Sequence, residues 1–263
     1  MCRSGQLPSV TNMNETKNAV ITGASRGLGL ALARGLAAAG WSLVIDARDP
    51  AALDDAVASL PGSGRVIQIA GDITDPAHRA ALRDAAEELG GPDLLINNAG
   101  TLGTSPLPAI ADYPIAELRE AFEVNVLAPL GLTQLLLPAL RRHGGAVLNV
   151  TSDAAVEPYA GWGGYGAAKA ALEQASNVLA AEELALRVWW ADPGDLRTDI
   201  LLVLRDIRDK FLEVGPEVVH GLMSEAADLP PERMEVTPRG DTSDEFLAEI
   251  VDEVFLPLVS PAH

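Results

Sequence analysis

The chain carries a single cysteine, Cys2, in 263 residues, so an internal disulfide and a cysteine-rich metal site are both excluded. Its four histidines, His78, His143, His220 and His263, are scattered, and none stands at metal-ligand spacing from another. No metal is expected. No stretch approaches about 18 apolar residues without a charge or a proline, so no membrane span is expected. A basic-then-apolar leader is missing from the N-terminus, which argues against a signal peptide. Cations are also scarce: 19 Lys and Arg stand against 37 Asp and Glu, for a net charge of −18. That excess of negative charge argues against nucleic acid and anionic membranes as partners. These absences together suit a cytoplasmic enzyme. What is present is apolar content: 48% hydrophobic residues, enough for the full core of one domain.

Residues 1–16 are polar and aperiodic and read as a disordered lead-in, with Met13 an alternative start. Beyond them, Lys17–Thr22, Ser42–Arg48, Val66–Ala70, Asp93–Asn97, Ala146–Val150 and Arg187–Ala191 read as strands. Segments rich in Ala and Leu with helical periodicity lie between them. Near-continuous apolar strands alternating with helices predict an α/β fold, a doubly wound parallel sheet with helices on both faces. Ligands of such sheets bind beyond the carboxyl ends of the strands. Gly23, Asp72, Asn97, Ser152 and Pro193 all fall at those ends.

The first strand runs straight into Gly23-Ala24-Ser25-Arg26-Gly27-Leu28-Gly29, and a helical pattern follows. Strand, glycine turn and helix in this order form a dinucleotide-binding unit. Glycine admits positive φ and close backbone approach to a phosphate. The helix N-terminus adds free N–H groups and a partial positive charge.

Further along, Tyr165-Gly166-Ala167-Ala168-Lys169 sets a phenol and an ammonium four residues apart, on one face of a helix. An ammonium beside a phenol favours the phenolate and lowers its pKa. Such a tyrosine exchanges a proton near neutral pH, which free tyrosine does poorly. Ser152, thirteen residues earlier at a strand end, is placed to hold the oxygen that receives the proton. Tyr-x-x-x-Lys by itself occurs on many amphipathic helices. The glycine turn is what gives it weight here.

The Gly-x-x-x-Gly-x-Gly spacing, Asn97-Asn98-Ala99-Gly100, Ser152, Tyr165, Lys169 and Pro193-Gly194 together resemble the short-chain dehydrogenase/reductase family. The resemblance implies a single Rossmann-like domain, with its core over residues 17–198 and a helical substrate lid and tail over 199–263. It implies that Tyr165 is the general acid when a carbonyl is reduced and the base when an alcohol is oxidised. Ser152 would hold the substrate oxygen, and Lys169 would lower the Tyr165 pKa and bind the nicotinamide ribose. Asn125 matches the fourth catalytic member, whose backbone carbonyl holds a relay water. A physical reason lies four residues on: Pro129 has no N–H to offer the Asn125 carbonyl.

For the cofactor, the resemblance assigns Gly23, Ser25, Arg26, Gly27, Leu28 and Gly29 to the phosphates. Asp72 and Ile73 lie beside the adenine, and Asn98, Ala99 and Gly100 border the ribose. Pro193, Gly194, Leu196 and Thr198 run along the nicotinamide. Choice between the two dinucleotides rests on register at the end of the second strand. The family's NAD-preferring members carry an acid seven residues past the glycine that ends the preceding helix. Counted from Gly40, that position is Ala47, followed by Arg48. Asp46 lies one residue early and should point to the opposite face. The pattern favours NADP(H) over NAD(H), with Arg48 on the 2′-phosphate. The alternative leaves Arg48 a solvated loop cation and puts Asp46 on the ribose.

The implied activity is an NADP(H)-dependent interconversion of a ketone and a secondary alcohol on a small molecule. Two other readings stay open: a non-redox epimerase, dehydratase or cyclase on the same scaffold, and a catalytically silent NADP-binding regulator. The family's helices bearing Asn125 and Tyr165 form a dimer face, so a homodimer or homotetramer is expected. Where many members end in a seventh strand with Val-Asp-Gly-Gly, this sequence has none. It offers instead a helical pattern from Thr198 to about Val219. A proline- and acid-rich stretch and an amphipathic C-terminal helix follow.

Overall fold

The computed structural model describes residues 16–193. The lead-in up to residue 15, the tail over 199–263 and the question of a seventh strand lie outside the described residues. Among the described residues, six strands form one wholly parallel sheet: β1 (Asn18–Ile21), β2 (Ser42–Ala47), β3 (Val66–Ala70), β4 (Leu94–Asn97), β5 (Ala146–Val150) and β6 (Arg187–Ala191). Their order is β3-β2-β1-β4-β5-β6, so the chain winds outward in both directions from β1. The doubly wound Rossmann-like sheet expected from the sequence is therefore present. All six strands lie where the apolar runs put them, within a residue or so at each end.

Six helices among the described residues connect them: α1 (Gly27–Ala38), α2 (Pro50–Ala58), α3 (Pro76–Glu88), α4 (Ile115–Phe122), α5 (Ala128–His143) and α6 (Gly163–Glu182). Local chemistry sets several of their ends. α2 and α3 both start with Asp-Pro: the Asp49 carboxylate accepts from Ala51 and Ala52, and that of Asp75 from Ala77. Each proline fills a position with no donor to lose. α5 stops at Gly144, whose φ of 58° is the left-handed C-terminal cap, after Arg141, Arg142 and His143 in its last turn.

Strand alternation divides the core between the two faces of the sheet. Ile21, Leu43, Ile45, Leu94 and Ile96 pack with Leu32 and Leu36 of α1 and Leu53 of α2. Val20, Val44, Leu95 and Val147 face the other way, onto Leu82 of α3 and Leu132, Leu136 and Leu140 of α5. α4 and α5 run together as one helical stretch, Ile115–His143, which by length and composition alone is apolar enough to cross a membrane. It is instead the core helix of this face, with Leu132, Leu136 and Leu140 fully buried against the sheet.

That stretch is interrupted by a π-helical turn, Glu123–Leu127, between α4 and α5. The missing N–H of Pro129 breaks the α-helical ladder at this point. The simple bend that a proline implies is thus realised as a wider turn. Asn125 sits in its middle.

Candidate active site

The glycine turn lies between β1 and α1, at the carboxyl edge of the sheet. Gly23 and Gly27 have φ of 68° and 57°, conformations that side-chain-bearing residues rarely adopt. α1 begins after Arg26 with no side-chain cap, so its first N–H groups are left to other partners. A Cβ on Gly29 would lie 2.4 Å from the Gly23 carbonyl and 2.5 Å from Asn98 Nδ2. Only glycine lets α1 approach β1 and β4 this closely. Asn98 Nδ2 donates to the Thr22 and Gly23 carbonyls at 2.8 and 3.1 Å. The Thr22 hydroxyl accepts from the N–H groups of Asn98 and Ala99, both at 3.0 Å. The turn and the Asn-Asn-Ala-Gly segment are thus one unit. A cradle that excludes a Cβ, below an uncapped helix N-terminus, fits a dinucleotide phosphate. Arg26 and Gly27 are exposed there, Ser25 is half-buried, and Leu28 packs against the core.

At the end of β2, Ala47 is buried and Arg48 exposed. Asp46 is 2% exposed. Its Oδ1 accepts from the Gly23 N–H at 2.7 Å and its Oδ2 lies 2.9 Å from Nε2 of His78. Asp46 lies on the face of the sheet opposite Ala47, the face of Val44, as strand alternation leads one to expect. The next loop holds Asp72, exposed, and Ile73, buried at 7% exposure. Asp72 Oδ1 accepts from the Thr74 N–H and hydroxyl, and those bonds, with the nearby charges of Arg48 and His78, hold its carboxyl below the usual range. Pro193 is the last described residue. Gly194, Leu196 and Thr198 lie outside the described residues.

The chemical residues come from three elements. Ser152 follows β5, Tyr165 and Lys169 lie in the first two turns of α6, and Asn125 comes from the π turn. The fold brings Asn125 and Lys169 together around Gly100, where an added Cβ would lie 3.0 Å from Asn125 Oδ1 and 3.6 Å from Lys169 Nζ. Asn125 is wholly buried. Its Nδ2 donates to the Thr101 and Ala121 carbonyls at 2.8 and 2.9 Å, and its Oδ1 accepts from the Thr101 N–H at 3.1 Å. The family resemblance assigns Asn125 a role through its backbone carbonyl alone. The side chain also ties the loop after β4 to the helix.

Lys169 is 4% exposed, and Nζ donates to the Val150 carbonyl at 2.7 Å. Burial lowers its pKa from 10.5 to about 8, against the opposing charge of Glu173 one helical turn on. Nζ lies 5.5 Å from the centre of the Tyr165 ring. The expected lowering of the Tyr165 pKa by Lys169 is not found. Burial raises the phenol above its ordinary value, a hydrogen bond with Ser152 opposes that, and the charges of Asp192 and Asp153 add to it. The reason is position: the ammonium is turned to the Val150 carbonyl, lies over the ring face, and is itself costly to keep charged.

Around this centre stand further polar and aromatic groups. The Ser152 hydroxyl donates to Asp153 Oδ1 at 3.1 Å, and the Tyr159 hydroxyl donates to Asp153 Oδ2 at 2.6 Å. Beneath it, Thr151 donates to buried Glu173 at 2.6 Å. Asn97 donates to Thr133 and Asn149, and Asn149 to Ser176, which ties β4 and β5 to α5 and α6. Only the polar residues inside otherwise apolar strands hinted at this network. Trp162 packs edge-on against both Tyr159 and Tyr165, at 5.8 Å between ring centres.

The geometry has counterparts among known proteins. The short chain dehydrogenase family model matches residues 17–208. Sepiapterin reductase of Meriones unguiculatus is 39% identical over 203 residues, 71% of this chain and 77% of that protein. The 7alpha-hydroxysteroid dehydrogenase of Escherichia coli K12 is 34% identical over 207 residues, 76% of this chain and 80% of its own. Among solved structures, L-sorbose reductase from Gluconobacter frateurii, complexed with NADPH and L-sorbose, matches with a TM-score of 0.65 at 33% identity. That match covers 82% of this chain and 83% of the other. With the doubly wound sheet and the glycine turn already described, the chain belongs to the short-chain dehydrogenase/reductase family, oxidoreductases that bind NAD(P).

Proposed function

We propose that the protein is an NADP(H)-dependent oxidoreductase that interconverts a ketone and a secondary alcohol, with Tyr165 as general acid and base. The observation that carries the reading is the convergence of Ser152, Tyr165, Lys169 and Asn125 beside a glycine turn built for a phosphate. When bound, the nicotinamide supplies or accepts the hydride. The chain's own residues do the rest. Gly23 to Gly29 and the N-terminus of α1 take the phosphates. Asp72 and Ile73 border the adenine, Asn98 to Gly100 the ribose, and Pro193 to Thr198 the nicotinamide. Lys169 holds the nicotinamide ribose. Ser152 donates a hydrogen bond to the substrate oxygen, and Tyr165 gives that oxygen its proton in reduction and takes it back in oxidation.

Preference for NADP(H) is supported by the end of β2. Asp46 has both carboxylate oxygens occupied in the interior, and Arg48 after the end of β2 is an exposed cation able to pair with a 2′-phosphate. The similar L-sorbose reductase is complexed with NADPH, and in a cell NADPH favours reduction. The substrate is a small carbonyl or alcohol compound. Asp153 and Glu157 near Ser152 disfavour polyanionic esters. Exposed Leu127 and Val178, on the helical stretches that carry Asn125 and Tyr165, support a homodimer or homotetramer. A cytoplasmic location, with no nucleic-acid or membrane partner, belongs to the same proposal and rests on the acidic composition.

The test is titration of wild type and Arg48→Ala with NADPH and NADH, read by energy transfer from the tryptophans. Loss of one phosphate contact should weaken NADPH about tenfold or more and leave NADH unchanged. NADH preference that ignores Arg48→Ala overturns the cofactor assignment. A ketone panel followed by NADPH oxidation then tests the reaction, and Tyr165→Phe should abolish turnover while NADPH still binds.

A further inference from the structure

We infer that Asp46 and His78 form a buried brace that positions the glycine turn and so sets the affinity for the dinucleotide, whichever dinucleotide it is. The inference rests on the turn being the cofactor site, not on the choice between NADP(H) and NAD(H).

Asp46 holds the first two amides of the turn with two different groups. Its carboxylate accepts from the Gly23 N–H at 2.7 Å, and its backbone carbonyl accepts from the Ala24 N–H at 2.8 Å. The first bond turns the Gly23 N–H inward and fixes the orientation of a residue held at φ 68°. The second carboxylate oxygen is 2.9 Å from His78 Nε2. A carboxylate only accepts, so Nε2 carries the proton in this bond. The two side chains are 3% and 6% exposed, so the pair is shielded from water.

His78 is itself held from two sides. It stands in the first turn of α3, behind the cap that Asp75 gives to Ala77. Its ring lies over Gly71, where a Cβ would come within 2.2 Å of Nδ1. Gly71 in turn donates to the Ala47 carbonyl at 3.0 Å. The brace therefore joins the end of β2, the loop after β3 and the start of α3 to the one turn on which the cofactor depends. The connection spans 32 residues between Asp46 and His78 and 23 between Asp46 and Gly23.

Stability alone is a poor account of the pair. A buried carboxylate costs desolvation, and well-packed apolar residues in place of a buried polar pair are often neutral or stabilising. Val44, two residues earlier on the same face of β2, is such an apolar residue. What the carboxylate supplies and a valine does not is a fixed acceptor for the Gly23 N–H.

The decisive variant is the apolar double substitution Asp46→Val with His78→Leu, in the full chain, titrated with NADPH and NADH and melted in parallel. Loss of a charge-assisted bond that orients the turn should raise both dissociation constants about tenfold, with the melting temperature held or raised. Asp46→Asn keeps an acceptor for Gly23 and should restore near-wild-type binding of both. His78→Ala keeps the Gly23 bond but frees its far end. It should weaken both cofactors alike, by about threefold, and it carries the test if the double variant does not fold. A folded double variant, or a folded His78→Ala, that binds both cofactors as wild type does overturns the brace. So does an effect on NADPH alone, which is the signature reserved for Arg48. Failure of the wild-type chain to bind either dinucleotide overturns the cofactor site itself and the brace with it.

Discussion

Replacing Lys169 by methionine should inactivate the enzyme and stabilise the protein at neutral pH. The ammonium is 4% exposed, and burial brings its pKa from 10.5 to about 8. Holding it charged below pH 8 therefore costs about 3 kcal/mol relative to the unfolded chain. The sign follows from proton counting. Between pH 8 and 10.5 the unfolded chain binds the proton and the folded chain does not, so the penalty for burying Lys169 is relieved as pH rises through that window. With more protons bound in the unfolded state, the linkage slope makes wild-type stability rise with pH relative to a variant that cannot titrate. Methionine fills much of the same volume without the charge. Against its gain at neutral pH stand the lost bond to the Val150 carbonyl, about 1 kcal/mol, and the lost compensation of Glu173. The net expectation is a variant about 1–2 kcal/mol more stable at pH 7. That advantage should vanish or reverse by about pH 10. Urea denaturation of both proteins at a series of pH values from neutral to alkaline reads the difference directly, and subtraction removes every other titrating group. A difference that does not change with pH refutes the reasoning, because then burial is not what disfavours the charge.

Glu173→Gln keeps an oxygen for the Thr151 hydroxyl but removes the charge that supports Lys169. The pKa of Lys169 should fall below about 8, and the loss of activity at high pH should move to lower pH in a pH–rate profile. Gly29→Ala puts a methyl 2.4 Å from the Gly23 carbonyl. It should weaken both NADPH and NADH about tenfold or more and cost about 1–3 kcal/mol of stability, read by titration and denaturation. Leu132→Ala, at a fully buried site between α5 and the sheet, should cost about 2–5 kcal/mol in denaturation and leave cofactor affinity unchanged in the folded fraction.

Much of this molecule is legible in the chain because its signals are local. Each strand is a short apolar run, several helices start at an Asp-Pro or a glycine, and a parallel sheet covered by helices follows from β–α alternation, whereas the order of its strands came from the structure. The glycine turn and the Tyr-x-x-x-Lys pair declare themselves by spacing, and so does the opposite facing of Asp46 and Ala47, since side chains alternate along a strand. The partners of those residues do not. Nothing near Asp46 in sequence names His78, and nothing near Asn125 says that its amide holds Thr101. The Tyr165 pKa is the clearest case. Spacing put an ammonium beside the phenol, but desolvation and the Val150 carbonyl, both set by other elements, decide what that ammonium does.

Local chemistry along the chain was enough for the class of fold, the strand boundaries, the turn that fits a dinucleotide and the candidate residues proposed for proton transfer. Each of these depends on neighbours within a few positions, where backbone sterics and periodicity act. Packing settled the rest: which polar groups are buried, which hydrogen bonds they make to residues far away in sequence, and hence the charge each can hold. Dielectric environment and long-range pairing are properties of the packed whole, and no local pattern carries them.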